Sequence, residues 1–235
     1  LTVPWGINVK EGDTFTICAQ STAEASMGKL TACLPEWSDH DKSVWPVAGL
    51  SGIGAGVRVW AANDNYHENE GTIIINGGNI HAKGQQGSSA IGGSDYEHNT
   101  SYDGDTPGNL RQGGSITING GDITARGGLG RYGRGNGIGP SWITYADITI
   151  NGGNIDASAN GAGAAIGGVL STTVKITGGT IKAVGDYATV AIGSNEGRGG
   201  SVSITGGKVT AIGKGDADGI GGHADVSITD GEIDV

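Results

Sequence analysis

Carboxylates, aromatic rings and histidines crowd into four stretches of this chain. Residues 34–48 hold Glu36, Trp37, Asp39, His40, Asp41 and Trp45. Residues 60–70 hold Trp60, Asp64, Tyr66, His67, Glu68 and Glu70. Residues 94–112 hold Asp95, Tyr96, Glu97, His98, Tyr102, Asp103, Asp105 and Arg111, and residues 127–146 hold Arg131, Tyr132, Arg134, Trp142 and Tyr145. Together they contain four of the five tryptophans. Aromatic faces beside carboxylates are what sugar recognition needs: a pyranose ring stacks on the apolar ring face, and polar groups take its hydroxyls. Trp37, Trp45, Trp60, Tyr66, Trp142 and Tyr145 are the candidate stacking residues. His67, His98 and Arg111 are the candidate polar contacts. Trp5 is expected to cover the N-terminal end instead.

The same stretches could support catalysis. Glycoside hydrolysis by most mechanisms uses two carboxyl groups, about 5–5.5 Å apart for retention and about 6.5–9.5 Å apart for inversion. Glu68, Asp95, Asp103 and Asp105 are the candidates, with Glu97 beside them; the plain alternative is that each is a solvated surface acid. A lyase would need a base and a cation against a uronate carboxylate. His67, His81, His98 and Arg111 could contribute, and Lys83 and Arg126 occupy equivalent repeat positions that would form a small cationic strip. Calcium is the one ion the sequence raises, at Asp103-Gly104-Asp105 or Asp216-Ala217-Asp218. Neither continues as an EF-hand loop, and no nonapeptide calcium-roll array is present. No G-x-S-x-G nucleophile elbow occurs. No metal site is assigned and no cofactor is expected.

These stretches interrupt a repeat. Ile73-Ile74-Ile75-Asn76-Gly77-Gly78-Asn79-Ile80-His81-Ala82 returns as Ile116 to Ala125, Ile148 to Ala157, Val174 to Ala183 and Val202 to Ala211, with a weaker copy from Val226 to Val235. A second unit follows each full copy: Ala90-Ile91-Gly92-Gly93, Gly137-Ile138-Gly139, Ala165-Ile166-Gly167-Gly168, Ala191-Ile192-Gly193 and Gly219-Ile220-Gly221-Gly222. A degenerate first rung reads Phe15-Thr16-Ile17, Lys29-Leu30-Thr31-Ala32 and Gly52-Ile53-Gly54. Apolar and polar residues alternate within each unit, which is the strand period. The paired glycines supply the positive φ of a tight turn.

The expected fold is all-β: a parallel β-solenoid with three strands per coil, about six coils plus a partial seventh. Strand one is I-x-I, strand two I-x-A and strand three A-I-G. Ile75, Ile118, Ile150, Ile176, Ile204 and Ile228 should stack as one interior ladder, and Ile53, Ile91, Ile138, Ile166, Ile192 and Ile220 as another. One coil cannot bury its inner face alone, so such a fold needs several. Asn76, Asn119, Asn151, Thr177, Thr205 and Thr229 share one corner and should bond from coil to coil. The chain reads as a single domain, 1–235, with a degenerate coil at 1–56 and regular coils over 71–235, forming part of a longer protein.

Insert lengths point to one edge. The step from strand one to strand two is 5 residues in each full coil. From strand two to strand three it is 11 in four coils, 15 at 123→138 and 23 at 30→53. From strand three onward it reaches 20 at 53→73 and 25 at 91→116. Every long insert therefore flanks strand three of the first three coils, and loops grafted on a rigid scaffold are where function usually sits. The strand-three glycines would leave a low floor between two walls, giving a groove.

Composition narrows the classes further. Glycine is 48 of 235 residues, about three times the usual ~7%, yet it lacks the collagen period. The formal net charge of −10 argues against nucleic acid. No apolar run approaches the ~18 residues of a membrane span, so no membrane insertion is expected. The outward rows of strands one and two carry charges, which argues against a flat ice-binding array. Cys18 and Cys33 would form a disulfide or sit as small residues, buried or half-buried, in the first rung; no C-x-x-C suggests zinc or redox chemistry.

The pattern I-T-I-N-G-G-x-I-x-A-x-G followed by A-I-G-G resembles repeats of large cell-surface and secreted proteins of gut Firmicutes and related bacteria. That resemblance covers nearly the whole chain but rests on scaffold residues. It implies a right-handed β-helix of the pectate-lyase-like type in an exported bacterial protein. That superfamily includes lyases, glycoside hydrolases and carbohydrate-binding modules. No catalytic motif matches, so no catalytic residue is carried over. The expected function is binding of a poly- or oligosaccharide in the strand-three groove, with a glycan-cleaving enzyme using an acid pair there as the alternative. A flat face or the open end at 224–235 is the expected surface for any association of copies.

Overall fold

The computed structural model describes residues 1–2, 6–19, 28–33, 51–54, 71–85, 87–93, 111–128, 134–140, 144–161, 163–186, 189–195 and 199–235. Their regular structure is entirely β. Strand one of successive coils is β2 (Thr14–Ile17), β5 (Thr72–Ile75), β8 (Arg111–Ile118), β12 (Thr144–Ile150) and β16 (Thr173–Ile176). Strand two is β3 (Lys29–Cys33), β6 (Asn79–Lys83), β9 (Asp122–Arg126), β13 (Asn154–Ser158) and β17 (Thr180–Gly185). The long β19 (Ser201–Gly213) runs through both positions, as does β21 (Asp225–Asp234), which pairs with it. Strand three is β4 (Ile53–Gly54), β7 (Ile91–Gly92), β11 (Ile138–Gly139), β15 (Ile166–Gly168), β18 (Ile192–Ser194) and β20 (Ile220–Gly222).

Each strand pairs in parallel with its counterparts in the coils before and after. Strands one and two form one 12-stranded sheet that turns at β19, and strand three forms a separate sheet of 7 strands. Sequential coils paired in parallel make a parallel β-helix, with the right-handed sense that parallel crossovers take. Both expected isoleucine ladders are in register. Ile75 pairs with Ile118, Ile118 with Ile150, Ile150 with Ile176, Ile176 with Ile204 and Ile204 with Ile228. Ile53, Ile91, Ile138, Ile166, Ile192 and Ile220 follow one another in the same way. Apart from the last member of each, these side chains are fully buried. Each contributes roughly 1.5–3 kcal/mol by leaving water. The aliphatic rows fill a narrow interior, and Phe15 packs against its N-terminal end.

The five-residue corner between strands one and two is held by backbone and side chain together. Gly121 turns it at φ +105°, and a Cβ there would press on the backbone of Gly77 and Gly78 in the coil below. Asn119 Nδ2 donates to Asn76 Oδ1 at 2.7 Å, Asn151 Nδ2 to Asn119 Oδ1 at 2.8 Å, and Thr177 Oγ1 to Asn151 Oδ1 at 2.8 Å. The expected ladder ends there. Thr205 Oγ1 points to the Ile176 carbonyl at 3.5 Å, and the register slips so that Thr205 faces Asp230 rather than Thr229. Cys18 begins the row, with Asn76 Nδ2 3.6 Å from its sulfur.

Three features were not anticipated. Residues before the first rung already coil: β1 (Ile7–Asn8) extends the strand-three sheet beside β4, and Thr2 bridges Thr31. β10 (Arg134–Gly135) pairs antiparallel with β14 (Asn160–Gly161), joining two coils at the strand-two-to-three corner. Asn136, 1% exposed, ties three coils together there. Its Nδ2 donates to the Pro140 carbonyl at 2.5 Å and reaches Ser89 Oγ at 3.4 Å, and its Oδ1 accepts the Ala164 amide at 2.7 Å.

Candidate functional site

Most residues singled out for sugar contact or catalysis lie outside the described residues: Trp37, Trp45, Trp60, Tyr66, His67, Glu68, Asp95, His98, Asp103, Asp105 and Trp142. Trp5 does too. Two candidates are placed, and they are neighbours. Arg111 opens β8, where it pairs with Thr144 of β12, and Tyr145 is the next residue along that strand. Burial alternates after it, with Ala146 inward and Asp147 outward, so Tyr145 faces out and is 37% exposed. Both residues sit where strand three has just led into strand one. A bulge between Tyr145 and Asp147 interrupts the pairing with β8 at this point. The edge that carries the inserts is thus anchored by a register that survives them: Ile53, Ile91 and Ile138 stack directly although long inserts separate them in sequence.

The structure bears on three expectations about neighbouring residues. His81 lies on the outer face of strand two, in β6, as its repeat position predicts. The Lys83 and Arg126 strip is partly neutralised, because Arg126 grips Asp156 of the next coil through both guanidinium nitrogens, at 3.0 and 2.5 Å. Arg126 Nη1 also donates to the Asp156 carbonyl at 2.8 Å. Cys18 and Cys33 are free thiols: Cys18 is exposed at the corner, and Cys33 is half-buried on strand two. Cys33 Sγ lies 3.6 Å from the His81 carbonyl. Burial pushes its thiol above the usual range, and the nearby Lys83 charge pulls part of the way back.

Strand two carries a feature that sequence reading passed over. Its outward residues form two parallel rows over three coils, Asn79, Asp122 and Asn154 in one, and His81, Thr124 and Asp156 in the other. They line a shallow concavity of about 270 Å³. Asn154 Nδ2 donates to Asp122 Oδ1 at 2.8 Å. The sequence signal was a short polar residue followed two places later by His, Thr or Asp in three successive copies. Among the described residues no group of three or more His, Cys, Asp or Glu could hold a metal ion, and no helix is long and apolar enough to cross a membrane.

Parallel coils in register, glycine-turned corners and ladders of like residues define a parallel β-helix built from tandem repeats. Residues 73–95, 116–142, 148–168 and 202–222 match the family described as a beta helix repeat, and the chain is a parallel β-helix repeat protein. No curated protein and no solved structure matches the chain significantly.

Proposed function

We propose that the chain is an extracellular glycan-binding module that holds a poly- or oligosaccharide along the strand-three edge of its first coils. The observation that carries this reading is the Ile53–Ile91–Ile138 register, unbroken although the longest inserts separate these residues in sequence. The scaffold does not need those residues to close its coils, and they bring most of the tryptophan and a dense share of the carboxylates. Tyr145, an exposed aromatic ring on strand one, and Arg111 on the adjoining strand stand at the same edge. A rigid floor joined in sequence to aromatic- and acid-rich inserts suits a long, hydroxyl-rich ligand.

A glycan-array screen of the purified chain, with mass spectrometry of every hit, tests this. The expected result is binding with the glycan intact, and affinity falling at least about tenfold in Trp37→Ala, Trp60→Ala or Tyr145→Ala, as for buried aromatic anchors. Cleavage products that vanish in Glu68→Gln, Asp95→Asn, Asp103→Asn or Asp105→Asn would replace the binding module with a glycoside hydrolase. No hit on a broad array would overturn both.

A further inference from the structure

We propose that the strand-two concavity over β6, β9 and β13 is a separate ligand site that takes one neutral pyranose ring. It lies on a different face from the strand-three edge and does not depend on the inserts.

Shape sets the size of the occupant. The row Asn79, Asp122 and Asn154 and the central Thr124 are short side chains. Arg126 grips Asp156, which fixes that lining carboxylate in place. In the following coil Lys182 takes the position next to Asp156 and ends the row of short groups. About 270 Å³ falls below the ~300–1,000 Å³ of pockets for drug-sized ligands, so a single ring fits better than a chain.

Chemistry sets its class. The His81 imidazole and the Thr124 hydroxyl have no hydrogen-bond partner among the described residues. Asp122 accepts from Asn154 and has no cationic partner there. Both rows thus mix donors and acceptors, with coils ~4.8 Å apart. A metal ion lacks its ligand set. An anion would meet the Asp122 carboxylate, and a cation would find that one carboxylate alone, since Asp156 is already held by Arg126. A hydroxyl donates and accepts at once, and a ring bearing several hydroxyls satisfies this mixture without bringing a charge.

The test titrates the full chain with methyl glycosides of glucose, galactose, mannose and N-acetylglucosamine, followed by ligand-observed NMR and calorimetry. Glucuronate and glucosamine serve as charged controls. At least one neutral glycoside should bind, and Thr124→Val and His81→Ala should each weaken it about tenfold. Both substitutions are on the outer face, so melting curves should match the parent. Tyr145→Ala reports on the strand-three edge in parallel. Binding that responds to Tyr145→Ala and ignores both strand-two variants would overturn this site and leave the strand-three reading standing. Preference for either charged control, or no binding near about 10 mM glycoside, would also overturn it.

Discussion

Gly167 shows how little freedom strand three has. Its φ is +138°, and a Cβ would collide with the carbonyl oxygen of Gly193 in the next coil. Gly92 stands in the same relation to Gly139. These glycines are set by the close stacking of coils, so the floor they form follows from packing before any ligand is considered. Gly12 supplies the contrast: its φ is +85°, but nothing lies within 4 Å of a Cβ built there. Gly12→Ala should cost about 1 kcal/mol, the strain of the backbone alone. Gly167→Ala adds a collision with backbone that cannot swing aside, and should cost at least about 3 kcal/mol. Urea unfolding of the two variants measures the difference. Equal losses would mean that the neighbouring coil yields, and that strand-three stacking is looser than the geometry requires.

The elements are joined mainly by their corners. Asn119 both donates to Asn76 and accepts from Asn151, so Asn119→Ala removes two bonds that link three coils. The row is exposed to water, which limits the loss to about 1 kcal/mol. Asn119→Thr should lose about half as much, because Thr177, two places further along the row, already makes the hydroxyl-to-amide bond. Chemical denaturation again reads both, and a Thr variant as weak as the Ala variant would mean that the ladder's bonds add nothing over water. This corner and the isoleucine register were legible in sequence because each depends on a residue type recurring at a fixed step. What escaped had no such period. β1 is a two-residue strand before the first recognisable rung, and the β10–β14 pair occurs once. The Arg126–Asp156 pair depends on how far a long side chain reaches across two coils, which spacing does not encode. The concavity escaped because no residue type repeats along it: Asn, Asp and Asn stand in one row and His, Thr and Asp in the other. The insert residues were conspicuous by composition, but nothing periodic fixes their arrangement.

Over the whole molecule, stability should vary along the axis. A solenoid coil contacts only the coils before and after it, so a terminal coil has half the support of an internal one. The first isoleucine ladder makes this visible. Ile150 and Ile204 are 0% exposed, whereas Ile228, next in line after Ile204, is 45% exposed and Val226 beside it 46%. Acids at Asp225, Asp230, Glu232 and Asp234 line this last strand, and among the described residues only Glu232 has a lysine partner, Lys208 at 2.6 Å. Charge along an open edge acts against edge-to-edge pairing with another chain. The core substitution Ile150→Ala should therefore carry the full large-to-small penalty, about 2–5 kcal/mol. Ile228→Ala removes a side chain already half in water and should cost no more than about half as much. Hydrogen exchange supplies the matching observation, since amides of β21 should exchange well before those of β12 and β16. If β21 proves as protected as β16 and Ile228→Ala as damaging as Ile150→Ala, the open end is covered in solution, and a second copy or another segment stacked on β21 would have to be sought there.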